Sequence, residues 1–251
     1  IYLHFVISNF NFLMNFIIDQ GNTFTKLALF ENDKLIASEV VKDFSEEKIN
    51  SFLSIFSVKN GIISSVGNEF DNRLLKKYKL TPLSHLTPIP LQIKYKTPET
   101  LGVDRIAAAV GARKNVNKGD LLIIDIGTCI TFDFVNSNND YLGGSIAPGF
   151  EMRFKALHQF TGKLPLINFN KVKLNLIGNS TETSIISGVY NGMKAEIEGV
   201  IQRYLTQYET LNIVVTGGDR NLFDLAPKNR IFANEFLVLE GLNEILKYNA
   251  E

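Results

Sequence analysis

A single cysteine, Cys129, stands in the 251 residues, so no intramolecular disulfide can form and the chain suits a reducing, cytoplasmic compartment. No histidine or lysine stands beside that thiol to activate it, and packing is its ordinary reading. Net charge is missing too: 26 Lys and Arg balance 26 Asp and Glu, with no long basic run, which excludes the footprint of a nucleic-acid binder and leaves a small molecule as the default partner. The apolar opening IYLHFVISNFNFLMNFII lacks a basic flank and a small-residue cleavage site, and it carries His4, Ser8, Asn9, Asn11 and Asn15. It therefore reads neither as a signal peptide nor as a membrane span. Met14 before NFIID reads as a natural start, and residues 1–13 as an N-terminal extension set aside from the fold. Proline is scarce outside one stretch: four of the seven fall in TPLSHLTPIPLQIKYKTPET, which excludes helix there and suggests an extended crossing between lobes. His85 within it reads as solvated or locally bonded. At 45% hydrophobic and 21% charged residues the chain can bury a substantial core, enough for one large domain or two lobes.

What is present begins with FIIDQGNTFTKLALF. A β-branched run leads into Asp19, a polar cluster follows, and a second apolar run closes the stretch, the pattern of a strand, a turn and a strand. Gly21-Asn22 can adopt the positive φ that a tight hairpin uses. Asp19 then stands at a strand end beside a loop whose glycine admits a ligand and whose successive N–H groups form an anion cradle, with Thr23, Thr25 and Lys26 adding donors. An acid beside an anion cradle makes sense when a cation lies between them, as it does for phosphates carrying Mg2+. One copy reads equally as a plain hairpin closed by an Asx turn. A second copy, LIIDIGTCITFDFV, repeats acid, glycine and hydroxyl as Asp125, Gly127, Thr128 and Thr131. Such duplication points to two like halves closing on one polyphosphate, a plan that resembles the acetate and sugar kinase, Hsp70 and actin superfamily. The fold expected is α/β: a duplicated actin-like (ribonuclease H-like) ATPase fold, each lobe a central mixed sheet with flanking helices, divided as 14–115 and 116–251.

Between the hairpins, NDKLIASEVVKDF reads as a turn and strand, SEEKINSFLSIF as a helix capped by Ser45, NGIISSVG as a short buried strand and EFDNRLLKKYK as a helix. TLGVDRIAAAVGARKN is a small-residue helix able to pack close to a neighbour, with Asp104-Arg105 in its first turn. A helix N-terminus favours an ionised acid, so Asp104 is a candidate proton acceptor, and Arg105 can hold a carboxylate or phosphate. The bland reading is an ordinary N-terminal acid beside an exposed arginine.

Three motifs, D-x-G-N-T-x-x-K at Asp19 to Lys26, G-x-D-R at Gly102 to Arg105 and D-x-G-T-x-x-T-x-D at Asp125 to Asp133, together resemble the set of the type III pantothenate kinases. YLGGSIAPG (141–149), GNSTETSIISG (178–188) and VVTGGD (214–219) extend the likeness in order over nearly the whole chain from Met14. Cys129 departs from the family, where alanine is more usual. The resemblance implies ATP-dependent conversion of pantothenate to 4'-phosphopantothenate, the first step of coenzyme A biosynthesis. It implies a first phosphate loop at Asp19, Gln20, Gly21, Asn22, Thr23, Phe24, Thr25 and Lys26, with Asp19 also a ligand for Mg2+, and a second at Thr128. Asp125 would hold a monovalent cation, potassium or ammonium, and Asp104 would be the base. Tyr95, Gly102, Val103, Asp104, Arg105 and Thr181 would bind pantothenate, and Gly217 and Gly218 would pack adenosine.

The helix opening at GNST runs on with Gly188, Gly192 and Gly199 inside it, each costing about 1 kcal/mol against alanine, so close approach by a neighbour is expected. That neighbour is either the chain's own sheet or, as the resemblance implies, a second copy in a homodimer. Two other functions stay open: a silent or regulatory ATP-binding homologue of the transcription accessory type, and another phosphoryl-handling enzyme of the superfamily, a sugar or acetate kinase or a polyphosphate phosphatase.

Overall fold

The run NFII lies in β1 (Met14–Gln20), where Phe16 to Ile18 are wholly buried. Continuous burial of this kind needs cover on both faces of a sheet. The computed structural model describes residues 14–65, 71–169, 175–225 and 230–250, so the reading of 1–13 as an extension lies outside the described residues. β1 pairs antiparallel with β2 (Thr25–Glu31), which pairs antiparallel with β3 (Lys34–Val41). On its other side β1 pairs parallel with β4 (Val58–Ser65), and β4 with the short β5 (Leu80–Pro82), giving the mixed order β3-β2-β1-β4-β5.

Alternation along the strands divides the core of this unit. Phe16, Ile18, Leu27, Leu29 and Ile63 face Ile49 of α1 (Glu46–Phe52) and Tyr78, which follows α2 (Asn72–Lys77). Ser45 caps α1 as expected, its hydroxyl accepting the Lys48 N–H at 3.3 Å. The opposite face is covered by α3 (Val103–Asn115) and α6 (Leu237–Tyr248). α3 is buried almost all round because Ala107, Ala108, Ala109, Gly111 and Ala112 are small. Its crossing with α6 depends on two glycines: a Cβ on Gly111 would lie 2.3 Å from the Leu237 carbonyl oxygen, and one on Gly241 only 1.8 Å from that of Ala107. Asn243, wholly buried on α6, accepts from Asn15 Nδ2 at 2.9 Å and donates to the Asn32 carbonyl at 2.7 Å.

A second sheet runs β11-β10-β7-β8-β9-β6, from β6 (Gln92–Ile93), β7 (Leu121–Ile126), β8 (Cys129–Val135), β9 (Asp140–Pro148), β10 (Asn212–Thr216) and β11 (Ile231–Ala233). β10 pairs parallel with β7 on one side and with β11 on the other. Their apolar side chains pack with Phe150 and Phe154 of α4 (Phe150–Gln159) and with Ile185, Val189, Met193, Ile197 and Ile201 of α5 (Thr181–Gln207).

Two compact units result, and their membership differs from a cut at 115/116. The first takes the described residues to Lys118 together with 135–143 and 236–250, and the second takes 119–134 and 144–235. The physical reason is α6: its buried residues Leu237, Val238, Leu242 and Ile245 belong to the face of the first sheet, so the end of the chain completes the unit that the beginning starts.

Candidate active site

In the first unit the β1–β2 hairpin is built as the sequence suggests, with Asp19 opposite Lys26 and Gln20 opposite Thr25. Its turn differs from expectation. Neither Gly21 nor Asn22 takes a positive φ, because four residues rather than two span the gap, closed by the Gly21 N–H donating to the Phe24 carbonyl at 3.1 Å. A longer loop turns the chain without left-handed backbone.

Asp19 is 9% exposed, and Oδ1 accepts a hydrogen bond from Ser64 Oγ at 2.8 Å. Burial pushes its carboxyl above the ordinary aspartate range, Lys26 and the Ser64 hydroxyl act against that push, and the charge of Asp104 adds to it. Asp104 and Lys26 are therefore near enough to Asp19 to be felt. Asp104 occupies the first turn of α3, where Oδ1 accepts the Arg105 N–H at 2.9 Å. The glycine of G-x-D-R gains a reason here: a Cβ on Gly102 would stand 2.5 Å from that carboxylate oxygen. Arg105, read from sequence as exposed in its bland form, is only 7% exposed. Val103 opens the helix between Gly102 and Asp104. Tyr95, in the extended segment after β6, lays its ring edge 3.1 Å from where a Cβ of Gly143 would be, and Gly143 has φ +105°.

Three motif segments meet in the second unit. β7 and β8 are joined through Gly127-Thr128, with the Gly127 N–H donating to the Cys129 carbonyl at 3.0 Å. Gly149, the last residue of YLGGSIAPG, donates to the Thr128 carbonyl at 3.0 Å, and a Cβ there would lie 2.1 Å from the Gly127 carbonyl oxygen. The N-terminus of α4 thus abuts the hairpin, adding a helix dipole to a turn rich in backbone donors. Gly217, at φ +98°, presses its turn onto the same strand end: a Cβ would lie 2.2 Å from the Ile126 carbonyl oxygen and 2.5 Å from Asp125 Oδ1. Arg220 holds that turn by donating to the Gly217 carbonyl at 3.0 Å while pairing with Glu235 at 2.7 Å. A cleft of about 310 Å³ is lined by Val215, which precedes the Gly217-Gly218 turn in sequence, and by Arg220, Asn221, Phe223 and Leu225, which follow it. Burial raises the Asp219 carboxyl, with Glu151 adding to it. Thr181 begins α5 behind a capping box in which Ser180 and Thr183 exchange side-chain and backbone bonds. Thr181 itself is exposed.

Two contributors were not singled out by the sequence reading. Ser64 belongs to a strand recognised only as ending in small residues, and Gly149 lies in a motif quoted without a role. Among the described residues no three His, Cys, Asp or Glu cluster as a protein-only metal centre. No helix of the described residues is long and apolar enough to cross a membrane. Asp19 fits a cation shared with a ligand: it is desolvated, and its Oδ2 carries no hydrogen bond from a described residue.

Residues 15–203 match the family model for type III pantothenate kinase. The type III pantothenate kinase of Christiangramia forsetii is 45% identical over 94% of this chain and 99% of that protein. That of Bacteroides fragilis is 44% identical over 94% of this chain and 98% of its own length. Among solved structures, a Campylobacter jejuni protein described as a Baf family transcriptional activator superposes with a TM-score of 0.60 at 22% identity, over 94% of this chain and 98% of that one. A Listeria monocytogenes protein described as an N-acetylmannosamine kinase gives 0.55 at 13%, over 95% and 100%. At such identities the likeness concerns the fold, which is the duplicated actin-like α/β fold of the sugar kinases. Matched by the family model through both hairpins and by relatives of that name along nearly its whole length, the chain belongs to the type III pantothenate kinase family.

Proposed function

We propose that this chain transfers a phosphoryl group from ATP to the primary hydroxyl of pantothenate, giving 4'-phosphopantothenate, the first step of coenzyme A biosynthesis. The observation that carries the reading is an intact Gly102–Arg105 turn beside Asp19 in a chain 45% identical to a type III pantothenate kinase along its length.

Phosphoryl transfer through a loose transition state asks a protein mainly for alignment and for neutralisation of charge. Residues Asp19 to Lys26 form one phosphate-binding loop of this reading, and Thr128 with the N–H groups of its turn forms another. Gly217 and Gly218 offer bare backbone to adenosine, with the cleft that Val215 and Arg220 line to receive it. Asp104 accepts the proton of the attacking hydroxyl. Tyr95, Gly102, Val103, Arg105 and Thr181 hold pantothenate, with Arg105 supplying the charge for its carboxylate; a site that pairs such groups rejects analogues lacking them. Asp19 would hold Mg2+ and Asp125 a potassium or ammonium ion, and both ions would offset the charge of the polyphosphate.

The chain works as a homodimer joined through α5. Gly188, Gly192 and Gly199 lie on one exposed face of that helix, and a Cβ on any of them would meet nothing within 4 Å. Packing on the chain's own sheet therefore does not account for them, and a second copy does. The lone cysteine supports a cytoplasmic setting, and the balanced charge supports a partner list without nucleic acid or membrane.

The test is ADP release coupled to a panel of acceptors, with and without potassium. Release that depends on pantothenate is the expected result. ATP bound without turnover, or turnover with a sugar or acetate in its place, would overturn the reading.

A further inference from the structure

We propose that Ser64 is a positioning residue of the phosphoryl-transfer site: its hydroxyl fixes the Asp19 carboxylate in one orientation, one oxygen held and the other presented to the nucleotide's phosphates and their cation. What Asp19 serves is taken from the kinase reading; the contact itself is independent of it.

β1 and β4 run parallel with Asp19 in register with Ser64, so the two side chains emerge on the same side of the sheet. Ser64 is 1% exposed and its Oγ lies 2.8 Å from Asp19 Oδ1, too enclosed for water to take its place. An O–H bonded to a carboxylate is among the stronger hydrogen bonds a side chain makes. An aspartate's χ2 is a broad, soft torsion, and an unheld carboxylate samples many orientations that a ligand must then freeze. Lys26 across the hairpin and Asp104 on α3 act on Asp19 through charge, which attracts or repels the group without choosing an oxygen. The Ser64 bond does choose: Oδ1 is engaged, while Oδ2 accepts from no described residue. Holding such a group in advance is how a rigid frame lowers the cost of reaching a transition state.

The next residue is a natural control. Ser65 pairs with Gln20, so its side chain leaves the opposite side of the sheet, and its Oγ is buried without a hydrogen-bond partner among the described residues. Ser65→Ala thus removes a hydroxyl from the same strand without touching Asp19.

The experiment compares wild type, Ser64→Ala, Ser64→Thr, Ser65→Ala, Asp19→Asn and the double variant Asp19→Asn with Ser64→Ala. Steady-state kinetics and calorimetric titration with Mg·ATP are the readouts. Ser64→Ala is expected to lower kcat about ten- to a hundredfold and to weaken Mg·ATP binding, while KM for pantothenate stays within about threefold. Ser64→Thr, which keeps the hydroxyl, recovers most of the loss, and Ser65→Ala matches wild type. In the Asp19→Asn background, where turnover is lost and Mg·ATP titration is the readout, Ser64→Ala adds no further loss of affinity, because Ser64 acts only through Asp19. Wild-type kcat and Mg·ATP affinity in Ser64→Ala would overturn the proposal, as would a loss that persists undiminished in the double variant. If wild type fails to phosphorylate pantothenate, the kinase reading falls, and the Mg·ATP titrations of Ser64→Ala, Ser65→Ala and the double variant still decide the role of Ser64.

Discussion

The Asp104 carboxylate accepts the N–H of Arg105 and occupies room that Gly102 leaves for it, so an amide of the same shape fits there but takes up no proton. Asp104→Asn is expected to keep the fold and ATP binding and to lower turnover by about a hundredfold or more, the scale of a lost general base. Near wild-type turnover would remove Asp104 from that role. Asp19 leads to a different expectation. Its folded pKa is raised, chiefly by burial, so its stabilising contribution is complete below the unfolded aspartate value and is lost as pH rises through the folded one. At neutral pH the ionised group is a cost to the empty protein. Asp19→Asn should therefore raise the melting temperature at pH 7 while abolishing turnover, and the gain should shrink as the pH is lowered. A lower melting temperature at pH 7 would contradict this. Asp19 stood out in the sequence because acid, glycine and hydroxyl recur at Asp125, and Asp104 because it follows Gly102 in the first turn of a small-residue helix. Ser64 was not, since its meaning comes from a parallel pairing with a strand 45 residues earlier, and local pattern carries no register between distant strands.

Among elements, the two hairpins and the long α5 follow from hydrophobic pattern and turn chemistry, and the structure has them where the residues suggest. The first turn shows the limit of that reasoning: Asn-Gly-type chemistry permits left-handed backbone, but loop length decides whether it is used. The α3–α6 crossing shows another. IAAAVGA announces a helix that something approaches closely, yet nothing local says that α6 is the something. Gly241→Ala tests the crossing. Alanine is the better helix former by about 1 kcal/mol, but here its methyl meets the Ala107 carbonyl, and a net loss of about 1–3 kcal/mol is expected in denaturant unfolding. A gain would mean that the helices can part without cost.

For the whole molecule, the exposed glycine face of α5 predicts that Gly192→Leu turns a dimer into a monomer in sedimentation while leaving the fold intact. An unaltered dimer would remove α5 from the interface. Turnover should need potassium or ammonium, and Asp125→Ala should weaken use of ATP more than affinity for pantothenate; full activity in a sodium-only buffer would contradict it. The division into units was only partly legible, because a duplicated pattern suggests a cut in the middle and cannot show that the last helix returns to the first sheet. That return has a consequence for how the protein is made. A ribosome delivers β1 to β5 early, but Ile17, Ala28 and Ile62, adjacent in register on the side that α6 covers, lack that cover until Leu237 and the residues after it emerge. At usual elongation rates of roughly 5–20 residues per second the wait is on the order of ten seconds or more. Through that interval the nascent sheet is a natural client for chaperones. The Asn15–Asn243 bond can close only after residue 243 has been translated, so a message truncated before α6 yields a chain whose earliest sheet keeps only the cover that α3 gives its second face.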